Sequence, residues 1–210
     1  LYEDYGARCV DHLRGMFAFA IWDMRHKRLM LARDRLGIKP LYYVETDGAI
    51  AFASELKPIL ALPEVDRTVN WHALSHLFTF MATPASQSII NGVKKLEPAR
   101  LAVAQGGSSL RIERYWDVEF EPDEISSEEE LIEQLREVLA DSVAAHEISD
   151  VPVGAFLSGG IDSSAVVATM AARHPDRKIK TFSIGFSEDG YDELVHARRV
   201  LYGARRIARI

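Results

Sequence analysis

The sequence predicts two portions of different class in one chain: an α+β portion built on antiparallel strands, then an α/β portion that opens a parallel sheet. Three observations predict it. Short apolar runs bounded by polar or glycine turns recur through residues 1–116, the pattern of antiparallel strands. Composition shifts at residues 117–126, where five of ten residues are acidic and Pro122 interrupts the chain, the mark of a surface linker. From residue 127 the order is helix, strand, glycine-rich turn, helix, strand, the order in which a parallel sheet begins.

The elements follow in turn. A helix-like pattern starts at once, with no capping residue ahead of it. Residues 16–22 form a buried apolar run too short for a helix and rich in aromatics, so they read as a strand. Residues 23–28 are its polar turn and 29–32 the returning strand. Residues 41–44 and 50–53 form a second hairpin around Thr46, Asp47 and Gly48, with Gly48 free to take positive φ. Residues 54–60 are a short helix that stops before Pro63. Asn70 caps a helix whose apolar face is Trp71, Leu74, Leu77, Phe78 and Met81. Residues 93–103 and 108–116 read as two edge strands turning at Gly106 and Gly107.

After the linker, Ser127 and Glu130 make a capping box. The helix behind it carries Leu131, Leu135, Val138, Leu139, Ser142 and Val143 on one side and is ended by Asp150 and Pro152. Next come a strand over 153–157, a helix over 164–173 and a strand over 181–186, and Asp192 is placed to cap one more helix.

Composition bounds the function. Hydrophobic residues make up 48% and charged residues 27% of the 210, so the chain can bury a core and general disorder is excluded. The longest apolar run, 16–22, is far short of the roughly 20 residues of a membrane helix. A formal net charge of −6 argues against general nucleic-acid binding but leaves room for a local phosphate site. Cys9, the one cysteine, excludes an internal disulfide and a four-cysteine zinc site, so a cytoplasmic location is expected. The chain begins with Leu1 inside a helical pattern, which reads as a fragment starting within a domain, and no secretory leader opens it. Residues 198–210 hold five arginines and no acid. They read as a truncated helix or misread gene end in preference to a basic partner-binding tail.

The stretch that carries chemistry is Phe156-Leu157-Ser158-Gly159-Gly160-Ile161-Asp162-Ser163-Ser164. It lies between a strand and a helix, where backbone N–H groups and the positive helix end converge on an anion. The two glycines allow close backbone approach, and Ser158, Ser163 and Ser164 add hydroxyl donors. Asp162 repels a bare phosphate but fits one that carries Mg²⁺. The chain has no Gly-Lys pair, so this is not the common kinase-type phosphate loop.

That string resembles the pyrophosphate loop of the N-type ATP pyrophosphatases. Residues 181–186 are similar to the family's next strand, and Gly190, Tyr191, Asp192 and Glu193 followed by Ala197 and Arg198 to what comes after it. In the first half, residues 15–23, 32–43 and 52–57 resemble the later part of a class II glutamine amidotransferase domain. The two together resemble the layout of the glutamine-dependent asparagine synthetases, over residues 2–200 or so. The resemblance implies an incomplete four-layer αββα glutaminase portion over 1–116, a linker over 117–126, and an incomplete Rossmann-like ATP pyrophosphatase portion over 127–210.

It further implies a reaction in two halves. An N-terminal cysteine hydrolyses glutamine to ammonia. The synthetase half adenylates aspartate with ATP and Mg²⁺, and ammonia displaces AMP. Ser158, Gly159, Gly160, Asp162, Ser163 and Ser164 carry over as the pyrophosphate loop, Asp162 as the Mg²⁺ ligand, and Leu157 and Ile184 as backbone contacts to ATP. No catalytic residue carries over: Cys9 lies inside a segment and reads as a packed thiol, so the piece alone is expected to be inert. The implied partners are glutamine, aspartate and ATP, with no nucleic acid and no membrane, and a homodimer is left open. Alternatives are a relative that amidates another carboxylate, in polysaccharide amidation or β-lactam closure, a phosphoribosyl-type amidotransferase, or a non-catalytic ATP-binding remnant.

Other residues read as structural. Arg33, Asp34 and Arg35 suggest a salt-bridge network holding the sheet, and Glu55 and Lys57 are assigned likewise. His72 and His76 share a helix face without a third ligand nearby. His146 complements the negative end of its helix.

Overall fold

The structure is a computed structural model that describes residues 1–122, 125–185 and 193–203, with side chains to 201. It divides into two compact units, Leu1–Phe120 and Glu121–Ile210.

The first unit opens with helix α1 (Tyr2–Tyr5), which runs into a 3₁₀ helix (Gly6–His12). Two antiparallel sheets follow. Strands β1 (Ala18–Asp23), β2 (Arg28–Arg33), β6 (Arg100–Gln105) and β7 (Arg111–Arg114) lie in the order β1-β2-β6-β7. Strands β3 (Tyr42–Thr46), β4 (Ala49–Ala53) and β5 (Lys94–Lys95) lie in the order β4-β3-β5. Helices α2 (Leu56–Leu60) and α3 (Trp71–Phe80) connect β4 to β5.

Strand alternation explains the layering. Met30 and Ala32 point to one side of β2, where they pack with Leu101 against Cys9 and Val10 of the 3₁₀ helix. Leu31 points to the other side and meets Ala102, Leu41, Tyr43 and Leu96, which joins the two sheets. Beyond the second sheet, Val44 packs against Ile59, Val65 and Val93. The order is helix, sheet, sheet, helix, with antiparallel sheets inside.

The structure corrects several expectations here. Residues 16–22 are not a fully buried strand: β1 starts at Ala18 and is an outer strand, so only one edge is covered and Trp22 is 59% exposed. Residues 93–103 are not one edge strand. Pro98 and Ala99, at φ 54, break them, so β5 pairs with β3 while β6 becomes an inner strand between β2 and β7. Asn70 does cap α3, its side chain accepting from the Ala73 N–H at 3.1 Å. The buried residue of α3 is Ala73, however, with Leu74 and Leu77 half-buried, while Trp71, Phe78 and Met81 are exposed.

Arg33, Asp34 and Arg35 do not pair with one another. Asp34 is 1% exposed and accepts backbone N–H groups from Ile38 at 2.9 Å, Lys39 at 2.9 Å and Phe17 at 3.3 Å. Arg33 donates to three carbonyls: Leu96 at 2.6 Å, Gly37 at 2.6 Å and Lys39 at 2.8 Å. Arg35 lies over the Trp116 ring, 5.6 Å from its centroid. The cluster ties backbone to side chain, which satisfies buried polar groups where β2 leaves its sheet. Gly37 sits inside it at φ +66, and a Cβ there would meet Pro98 Cγ at 2.7 Å. Glu55 and Lys57 are exposed, and the Glu55 side chain makes no capping bond to α2.

The Tyr115 hydroxyl donates to the Arg33 carbonyl at 2.7 Å. Burial, with the Asp34 charge second, pushes its pKa from 10.0 up to about 12. A raised folded-state pKa stabilises fully below the unfolded value and loses its effect as pH climbs through the folded one. The melting-temperature gap between wild type and Tyr115→Phe is therefore expected to hold steady up to pH 10 and to narrow from there towards pH 12. A gap that stays constant across that window would show that the phenol is not held neutral.

The second unit begins with α4 (Glu128–His146), and the capping box forms: Ser127 Oγ accepts from the Glu130 N–H at 3.3 Å, and Glu130 accepts from the Ser127 N–H at 2.8 Å. Only the later part of the expected face packs, through Leu139, Ser142 and Val143, while Leu131, Leu135 and Val138 are exposed. His146 Nδ1 lies 2.8 Å from the Ser142 carbonyl, at the helix's negative end. Strand β8 (Ala155–Phe156), α5 (Ile161–Arg173) and β9 (Thr181–Phe182) follow, with β8 and β9 parallel. Both strands are shorter than expected, and α5 begins three residues earlier than predicted. Helix α6 (Leu194–Gly203) comes last. Phe186, Gly190, Tyr191, Asp192 and residues 204–210 lie outside the described residues.

Candidate functional site

The loop from Leu157 to Ser164 leaves the carboxyl end of β8 and enters α5, the edge where parallel sheets bind ligands. Leu157 anchors it. The residue is 1% exposed, packs with Val167 and Ala197, donates its N–H to the Phe182 carbonyl at 2.8 Å and accepts from Ser183 Oγ at 2.6 Å. Its N–H and carbonyl are thus both engaged within the unit, which holds the loop to the sheet. Ser183 is a contributor that the sequence pattern did not mark.

The loop turns on Gly159, at φ +87, and Gly160 becomes the N-cap of α5. A glycine cap has no side chain to satisfy the first-turn N–H groups, and no side chain among the described residues caps them. Those groups are what an anion would meet. Ser158 Oγ and Ser163 Oγ stand 3.0 Å apart across the turn. Gly160 N–H donates to Ser158 Oγ at 3.3 Å, and Ser163 Oγ donates to the Gly160 carbonyl at 3.3 Å. Ser164 Oγ is buried with no partner among the described residues, an orphaned hydroxyl in the first helical turn.

Asp162 is exposed in that same turn, and Ile184 is exposed two residues beyond β9, at the same end of the parallel pair as Leu157. The structure thus brings Ser158, Gly159, Gly160, Ser163 and Ser164 into one turn, with Asp162 on its rim. On the α4 side of β8, a cavity of about 420 Å³ is lined by Leu139, Val143, Phe156, Ser163 and Met170.

Among the described residues there is no group of three His, Cys, Asp or Glu that could hold a metal ion. The donor set does suit a magnesium ion shared with phosphate, which needs only one or two carboxylates from the protein. Cys9 is buried, and burial pushes its thiol up, which disfavours the thiolate a nucleophile needs. His72 and His76 rings lie 6.2 Å apart, with His76 Nδ1 at 3.2 Å from the Ala82 carbonyl.

Comparison with known proteins divides the chain in the same order. A family model described as a glutamine amidotransferase domain matches residues 1–116, and one described as asparagine synthase matches residues 134–206. Asparagine synthetase (glutamine-hydrolyzing) 3 of Bacillus subtilis is 40% identical over 194 residues, covering 90% of this chain and 31% of that protein. The same organism's asparagine synthetase (glutamine-hydrolyzing) 1 is 38% identical over 193 residues, covering 92% of this chain and 30% of that protein. Amidase chyE of Penicillium rubens is 35% identical over 223 residues, covering 95% and 31%. The chain spans about a third of the length of these curated relatives. It belongs to the glutamine amidotransferase domain family through residues 1–116, with an asparagine synthase match following in the same chain.

Proposed function

We propose that this chain is part of a glutamine-dependent asparagine synthetase. Residues 1–116 belong to the ammonia-supplying half, 117–126 are the linker, and 127–210 open a Rossmann-like ATP pyrophosphatase half. A cytoplasmic setting, where ATP, glutamine and aspartate are at hand, goes with this reading. The observation that carries it is the uncapped start of α5 behind Ser158, Gly159 and Gly160, with three hydroxyls gathered in one turn.

The chemistry follows from the problem. A carboxylate is a poor electrophile, so an aspartate oxygen attacks the α-phosphorus of ATP, the α–β phosphate bond breaks, and pyrophosphate departs. Ammonia then attacks the acyl carbon, and AMP leaves with the electron pair of the broken C–O bond. The first-turn N–H groups of α5 with Ser158, Ser163 and Ser164 hold the departing pyrophosphate, whose negative charge rises as the bond breaks. Asp162 would hold Mg²⁺ against it, and the ion supplies charge neutralisation there. Leu157 fixes the loop to the sheet, and Ile184 borders the nucleotide.

The test is product analysis of the full-length gene product with glutamine, aspartate and MgATP. Asparagine, AMP and pyrophosphate should form in equal amounts. Ser158→Ala and Asp162→Ala should each lower asparagine formation about 100-fold while glutamine hydrolysis stays within a few-fold of wild type. Pyrophosphate release that is indifferent to aspartate but responds to another carboxylate would overturn the aspartate reading in favour of a related amidotransferase.

A further inference from the structure

We infer that helix α6 positions the Ser158–Ser164 loop by pressing its backbone onto Gly159, and that Ala197 is the positioning residue that sets how close α6 can come. The inference rests on the ATP-binding reading of that loop.

The contact is between two backbones. A Cβ built on Gly159 would lie 2.4 Å from the carbonyl carbon of His196, 2.5 Å from the nitrogen of Ala197 and 2.6 Å from His196 Cβ. The 196–197 peptide therefore lies directly against the glycine. The adjacent Gly160 is different: a Cβ there would meet Ser158 Oγ at 3.4 Å, an ordinary contact. Of the two loop glycines, only Gly159 is required by a neighbouring element.

That peptide is itself well fixed. It lies in the first turn of α6, where the His196 and Ala197 N–H groups donate to the Glu193 carbonyl at 3.1 and 3.0 Å. Ala197 is 0% exposed and packs with Leu157 and Val167, flanked by half-buried Val200 and Leu201. One methyl group thus separates α6 from the root of the loop and from α5. Interiors packed at this density do not absorb an extra methylene without moving backbone. A larger residue at 197 must shift α6 outward, and Gly159 then loses the wall that holds its turn. The N–H groups after it would no longer point at a fixed spot, and misplacement by about 1 Å at a reacting centre costs on the order of 100-fold in rate. Ala197 touches no substrate and acts through Gly159.

The experiment uses the full-length protein supplied with ammonia, so that the synthetase half is read directly. Ala197→Val should raise the KM for ATP about tenfold, a loss of positioning smaller than removal of a donor, while the KM for aspartate and the rate of glutamine hydrolysis stay within twofold. Val200→Ala is the control, because it removes packing from the same cluster without pushing on the glycine. It should lower the melting temperature and leave the KM for ATP unchanged. A wild-type KM for ATP in Ala197→Val, or an equal rise in both variants, would overturn the inference. Should the valine variant fail to fold, Ala197→Ser, larger by one oxygen, is judged by the same criterion at about a threefold rise. Asp162→Ala separates the two levels. If it raises the KM for ATP and Ala197→Val does not, the positioning role falls and the ATP site stands; if neither does, the ATP reading itself falls.

Discussion

Asp34→Ala should cost the first unit about 3–5 kcal/mol, since a buried acceptor is removed and three backbone donors are left without one. The three donors are the N–H groups of Phe17, Ile38 and Lys39, and the carboxylate that takes them is 1% exposed. Against a typical stability of about 5–15 kcal/mol, that loss leaves little. Asp34→Asn keeps the shape and one acceptor oxygen but turns an NH₂ towards at least one N–H, so about half the loss is expected. Urea unfolding followed by tryptophan fluorescence reads this unit selectively, because Trp22, Trp71 and Trp116, the three tryptophans of the chain, all lie within residues 1–120. An unchanged midpoint in Asp34→Ala would show that water or a shifted backbone replaces the carboxylate.

Gly159→Ala should be the most damaging small change in the second unit. An alanine at φ +87 carries about 1–2 kcal/mol of left-handed strain. Its Cβ would also stand 2.4 Å from a backbone carbon of α6, which no side-chain rotation can relieve. Either α6 lifts or the loop changes course, and ATP-dependent asparagine formation in the full-length protein should fall about 100-fold or more. Glutamine hydrolysis should persist, since it belongs to the other half. Gly160→Ala gives the contrast in stability. At φ −71, with its nearest neighbour at 3.4 Å, it should cost the unit only the N-cap preference of glycine over alanine, about 1 kcal/mol or less. Equal destabilisation by the two alanines would mean that α6 does not lean on the loop.

The features legible in the sequence are those whose cause lies within a few residues. The Ser127–Glu130 box, the Asn70 cap, the Gly48 turn and the β8–α5–β9 order all depend on neighbours along the chain, and the string from Leu157 to Ser164 marks a strand-to-helix turn for the same reason. What was not legible depends on partners far away in sequence. Residues 93–103 alternate like one strand, and nothing local says that the chain changes sheets at Pro98. Periodicity on α3 and α4 marks an apolar stripe but not what covers it, and Trp71, Phe78, Leu135 and Val138 on those stripes are exposed. Charge alone suggests a salt-bridge network at Arg33, Asp34 and Arg35, whereas buried backbone groups claim the first two. The two loop glycines look alike in sequence and differ only because α6 comes to rest on one of them.

The distances along the chain over which the first unit is tied have a consequence for how it is made. Arg33 reaches Leu96 across 63 residues, Glu45 accepts from Leu110 across 65, and Tyr115 returns to Arg33 across 82. During synthesis from the N-terminus, the β1–β2 and β3–β4 hairpins can form as they emerge. Their sandwich stays open until β5, β6 and β7 arrive, a wait on the order of several seconds at ribosomal speed. Through that interval Leu31, Leu41 and Tyr43, which end up between the sheets, face water on an unfinished sheet, where chaperones and other nascent chains can reach them. Translational pausing before β7 has left the ribosome therefore prolongs the vulnerable state, whereas pausing after it has emerged does not.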